Sequence, residues 1–198
     1  MENAGPPPRR AWRARRWILW TFVIALPAVV FVLFIITVRL GVRAFGVRAY
    51  TMSSSDMVPT LQRGDRFLVN ALAYTTIGPQ RGDVIIFTHR DPEEGEVLWV
   101  KRVVAVGGDV IECAGDKVIL NGRVLHETYL APADESGSWP DPTGPIAVPP
   151  GKFFVMGDSR QNSNDSRFFG FVDSTQIRGK VTYVYAAKDR SRDWTRVK

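Results

Sequence analysis

Sulfur and imidazole are scarce in this chain. Its 198 residues include one cysteine, Cys113, and two histidines, His89 and His126. A lone thiol excludes an intrachain disulfide and a cysteine-based metal site, and it reads as a small buried apolar residue. Two scattered histidines add no zinc constellation, and neither has an acidic partner at an interpretable spacing, so a Ser-His-Asp site has no support.

Positive charge is also scarce where nucleic-acid binding would need it. The formal net charge of +6 comes mostly from residues 1–39, where six arginines face the single Glu2. That leaves 20 basic and 19 acidic residues in the remainder, a nearly neutral body. A basic tail beside an apolar segment points to membrane lipid, and no nucleic-acid-binding signature follows it.

Long apolar runs are absent from the body, and one stands near the start. Trp17 to Val38 holds no charged residue and is long enough to cross roughly 30 Å of hydrocarbon at about 1.5 Å per residue. A cleaved leader should have a shorter apolar region, about 7–15 residues, and small residues at its end, which Val38-Arg39-Leu40-Gly41-Val42-Arg43 does not supply. The expectation is a transmembrane helix over 17–38. Arg9, Arg10, Arg13, Arg15 and Arg16 precede it, so residues 1–16 form a cytoplasmic tail and 39–198 lie outside the cell membrane.

That outer part reads as mainly β. Short Val/Ile/Phe-rich runs at 67–70, 83–88, 97–106, 110–113, 117–120, 153–156 and 181–185 are separated by Gly, Pro, Asp and Asn. Asn121-Gly122 predicts a tight hairpin. Strands and long helices do not alternate, so antiparallel sheets are expected rather than a parallel α/β fold. Residues 127–150, with six prolines, form an irregular insertion, flexible or lid-like.

Three features carry possible chemistry. Ser53-Ser54-Ser55-Asp56-Met57-Val58-Pro59 is a polar turn after an extended run, which alone also fits a solvated loop that caps its own backbone. On the strand Leu98–Val106 a period of two puts Lys101 on one face with Trp99, Val103 and Ala105. Burial there disfavours the charged form and suits a general base, although a lysine snorkelling to a sheet edge fits as well. Arg102 points the other way, to packing or surface. The run Gly157 to Arg167 sets Ser163, Asp165 and Arg167 between two aromatic segments, as a functional loop or a structural one.

Taken in order, the apolar segment, SSSDMVPTLQRGDRFLVN (53–70), RGDVIIF (81–87), LWVKRVVAVGGD (98–109) and VMGDSRQNSNDSRFFG (155–170) resemble type I signal peptidase. The resemblance covers nearly all of 45–185. It implies a mostly antiparallel β domain in which a Ser/Lys dyad removes signal peptides from exported preproteins at the outer membrane face. Lys101 would be the base, Ser54 an oxyanion donor, and Ser163, Asp165 and Arg167 a supporting shell. Substrates would be extended chains with small residues at the first and third positions before the cut, and no metal or organic cofactor is implied. Self-cleaving repressors share related chemistry but need a DNA-binding helix pair where this chain has its apolar segment.

One position departs from that family. Its nucleophile is the serine directly before the methionine of Ser-Met-x-Pro-Thr-Leu, and this chain has Asp56 before Met57. A carboxylate beside Lys101 favours the ammonium and removes the neutral amine that the dyad requires. Three readings stay open: a member that binds signal peptides without cutting them, a one-residue shift that presents Ser55 instead, or a substitution in a chain whose parent carried serine.

Overall fold

The structure, a computed structural model, describes residues 27–38, 46–130 apart from 94 and 116, and 144–197. The chain divides into two compact units, Met1–Ala44 and Phe45–Lys198. In the first, residues 27–38 form helix α1. Among the described residues no helix is long and apolar enough to cross a membrane. The expected span over 17–38 is therefore represented only by its second half, and its first ten residues lie outside the described part.

The second unit is built of antiparallel sheets, as the runs of β-branched and aromatic residues predict. Its strands are β1 (Val47–Thr51), β2 (Arg66–Asn70), β3 (Val84–Asp91), β4 (Gly95–Val106), β5 (Val110–Ala114) and β6 (Lys117–Leu120). They continue with β7 (Arg123–Val124), β8 (Ile146–Ala147), β9 (Lys152–Met156), β10 (Val172–Asp173), β11 (Ile177–Ala186) and β12 (Thr195–Arg196). The larger sheet runs β1-β2-β11-β3-β4-β9-β10, with β12 on β11, and the smaller one runs β7-β6-β5-β8.

Local sequence explains the joints. Asn121 and Gly122 have φ of 53° and 76°, the pair of positive values that a type I′ turn needs, and they close β6 on β7 with Leu120 opposite Arg123. The insertion is ordered at both ends. Glu127 is docked through its carboxylate, and Ile146–Ala147 adds β8 to β5. Residues 131–143 lie outside the described part.

Three apolar clusters fill the body. One joins Met52, Met57 and Leu61 to β2 and β11; one lies over the smaller sheet; one joins Ile85, Phe87 and Val103 to β9. The polar turn after β1 is thus anchored by its apolar residues, because Met57 and Leu61 are fully buried while Ser53, Ser54 and Ser55 are exposed.

Cys113 sits in the second cluster, where burial pushes its thiol up to about 11. The thiolate is the reactive form, so a native sample at pH 8 should resist iodoacetamide and take up one equivalent after unfolding in guanidinium. Labelling of the native protein at the unfolded rate would place Cys113 at the surface instead.

Candidate active site

The centre of the site is Lys101, 2% exposed on the twelve-residue strand β4. In the β3–β4 register it lies opposite Ile85, and Trp99 lies opposite Phe87. Its amine therefore rises from an apolar face, with Nζ 5.2 Å from the centroid of the Trp99 ring. Such an amine needs a polar partner, and Asp56 supplies it: Nζ donates to Asp56 Oδ2 in an ion pair whose side chains are 2% and 16% exposed. Ser54 Oγ donates to the other carboxylate oxygen, Oδ1. Ser55 is exposed.

The turn that carries Asp56 is held from below. Ser159 N donates to Asp56 O at 3.0 Å. Gly157 packs so closely there that a Cβ would stand 2.5 Å from Asp56 O and closer still to Ser163 Oγ. Glycine is required at 157 by this approach, not by its φ. Ser163 Oγ itself is buried and has no hydrogen-bond partner among the described residues. Asp165, fully buried, accepts from Gly157 N at 3.0 Å and pairs with Arg167 through Nε and Nη2, both at 2.8 Å. Arg167 Nη2 also donates to Arg160 O at 2.6 Å. Asp165 caps the short helix α2 (Ser166–Phe169) as well, so one carboxylate ties the loop 157–165 to the helix that follows.

A second buried network lies on the opposite side of β4. Arg102, 1% exposed, grips Asp158 with Nε and Nη2 at 2.8 and 2.7 Å and donates Nη1 to Gly82 O at 2.7 Å. Thr60 Oγ1 donates to Asp158 Oδ2, which links the turn at its far end to the same pair. Of the two sequence readings of Arg102, surface is overturned and packing stands. Period-two alternation identified two faces of β4 but not that loops cover the second.

A groove of about 340 Å³ opens between the edge strand β1 and the first half of β4. Tyr50 to Ser54 form one wall and Val97 to Val100 the other. Among the described residues β1 pairs only with β2, which leaves its other edge for an extended chain to add as a strand. His89 backs this wall, stacked on Trp99 at 4.1 Å and tilted against Phe169 at 4.7 Å. Desolvation lowers its pKa, and the nearby Lys101 adds to that against the opposing Asp91. Nothing in the sequence signalled this stack, since residues 89, 99 and 169 meet only across β3, β4 and α2. Among the described residues no cluster of His, Cys, Asp and Glu could hold a metal ion.

The structure thus sets a buried lysine on a strand of an antiparallel sheet against a hydroxyl-rich turn that carries a carboxylate. Residues 17–186 match the family model of signal peptidase, peptidase S26. The chain is 38% identical over 183 residues to signal peptidase I of Bacillus caldolyticus, covering 87% of this chain and 91% of that one. It is 34% identical over 180 residues to signal peptidase IB of Staphylococcus aureus, covering 84% and 89%. The crystal structure of a signal peptidase I from Enterococcus faecalis aligns with a TM-score of 0.45 at 34% identity, over 52% of this chain and 97% of that one. The chain belongs to the signal peptidase family, peptidase S26.

Proposed function

We propose that the chain is a signal peptidase I-type protein that holds the N-terminal signal peptides of exported preproteins at the outer face of the cell membrane, and that Asp56 keeps it from cutting them. The span over 17–38 anchors it, with 1–16 in the cytoplasm and the β body from residue 39 outside. The exposed apolar side chains of α1, Phe31 and Phe34 among them, support that anchor. The groove beside β1 takes the extended end of the signal peptide by strand addition, with small residues nearest the turn.

The observation that carries this reading is the ion pair of Lys101 with Asp56. In a Ser/Lys dyad the serine hydroxyl attacks the scissile carbonyl while its proton passes to the lysine amine. Here that amine is engaged by a carboxylate, and the residue at the nucleophile position carries no hydroxyl. Ser54, the oxyanion donor of the family scheme, has its hydroxyl turned to the same carboxylate. Ser163, Asp165 and Arg167 form the supporting shell, and Ser55, exposed on the turn, is the substitute nucleophile only if the turn shifts by one residue.

Full-length protein in detergent, incubated with a preprotein bearing alanine at the first and third positions before its cut, tests this directly. Saturable binding without a mature-length product is the expected result. Product from the native chain overturns the silent reading, and product that survives Lys101→Ala also excludes Ser55 acting through that lysine. The absence of both binding and product overturns the proposal as a whole.

A further inference from the structure

Residues just before the undescribed stretch 131–143 make contacts that the site has no evident need for. Glu127 and Arg160 form a buried ion pair, 6% and 5% exposed, in which the carboxylate takes both terminal nitrogens of the guanidinium, Nη1 at 2.8 Å. Tyr129 donates its hydroxyl to Glu127 Oε1, and its ring lies on the Arg102 guanidinium with the Cζ 3.9 Å from the centroid. Burial first, and then the Glu127 carboxylate, push the phenol's pKa up, so Tyr129 remains a donor. Arg160 in turn donates Nε to Gly157 O at 3.1 Å.

Two routes therefore lead from this short segment to Asp56. One passes through Arg160 to Gly157, whose Cα packs on Asp56 O and Ser163. The other passes through Arg102 and Asp158 to Thr60 in the turn. Both end on the turn that faces Lys101, and both cross from the connection after the smaller sheet to the larger sheet.

We propose that Glu127 and Tyr129 are positioning residues, a clasp that sets residue 56 against Lys101 by holding Arg160 and Arg102 from outside the catalytic loop. They touch neither Lys101 nor the groove, and they act only through the two arginines. This rests on the reading of Lys101 and position 56 as the centre of the site. A carboxylate is needed at 127 because it must accept three hydrogen bonds, from two arginine nitrogens and one phenol, and a carboxamide has one accepting oxygen and a nitrogen that opposes those donors. An aromatic ring at 129 is needed because a planar guanidinium stacks on it.

The test uses the full chain with its native Asp56, labelled with 15N at lysine side chains. Glu127→Gln and Tyr129→Leu should each move the Lys101 Nζ resonance and speed its proton exchange, while Lys117 on the smaller sheet stays in place. Asp173→Asn is the comparison: it removes the partner of Lys152, an ion pair at 2.5 Å at the far end of β9, and should leave Lys101 unmoved. A Lys101 signal unchanged in both clasp variants overturns the proposal, as does an equal shift in Asp173→Asn. Tyr129→Leu takes the ring off Arg102 with Glu127 in place and carries the test if Glu127→Gln does not fold. In an Asp56→Ser background, Glu127→Gln should also lower kcat about tenfold, with KM within about twofold, as a small misplacement of a catalytic group does. If Asp56→Ser is itself inactive, the hydrolytic reading of position 56 fails, and the resonance of Lys101 still decides the clasp.

Discussion

On the proposed reading, Asp56→Ser is expected to let the chain cut the signal peptides it holds, with single-turnover rates on a preprotein rising by on the order of 10⁴-fold or more, the range over which nucleophile and general base together change acyl transfer. The substitution removes the carboxylate from Lys101 Nζ and puts a hydroxyl in the same turn. It also releases Ser54 Oγ, now spent on Asp56 Oδ1, to point at a developing oxyanion. The parts that would remain unchanged are the ones already built: the apolar surround of Lys101, Gly157 under the turn, and Asp165 on the loop. Adding Lys101→Ala to Asp56→Ser should abolish the product. An Asp56→Ser protein that folds, binds the preprotein and still yields no product would mean that the site lacks more than its serine.

The largest loss of stability is expected at Asp158. Asp158→Ala leaves the Arg102 guanidinium 1% exposed without its carboxylate, and removal of one partner from a buried pair costs about 3–5 kcal/mol. For a domain of this size that corresponds to a fall in Tm of about 6–20 °C. Urea unfolding gives the free energy. A double replacement, Arg102→Met with Asp158→Leu, should cost less than Asp158→Ala alone, because two apolar side chains leave no charge stranded. A loss below about 1 kcal/mol in Asp158→Ala would show that water reaches Arg102 and that the pair is not sealed. The same variant lets go of Thr60, so the turn at Asp56 should loosen with it.

Much of the β body was legible because side-chain alternation and turn chemistry are local. Asn121-Gly122 announced its hairpin, and the strands expected at 67–70, 117–120 and 153–156 lie within β2, β6 and β9. Strands β8, β10 and β12 are two residues each, too short for a period of two to register, and they exist only because neighbouring strands offer an open edge. The short helix Ser166–Phe169 was hidden in a polar run, since its cap, Asp165, serves Gly157 and Arg167 as well.

The chemistry divides in the same way. An apolar segment, a hydroxyl-rich turn that includes Asp56, a lysine on a greasy strand face and the family itself all follow from residue order, because each depends on neighbours within a few positions. That the Asp56 carboxylate meets Lys101, that Arg102 is sealed by Asp158 and Tyr129, and that Glu127 grips Arg160 were settled only in three dimensions. The three ion pairs among these join residues 33 to 56 positions apart, and an ion pair across such a separation leaves no periodic trace in the chain. Only the packing of sheets and loops decides which charges share the same dry space.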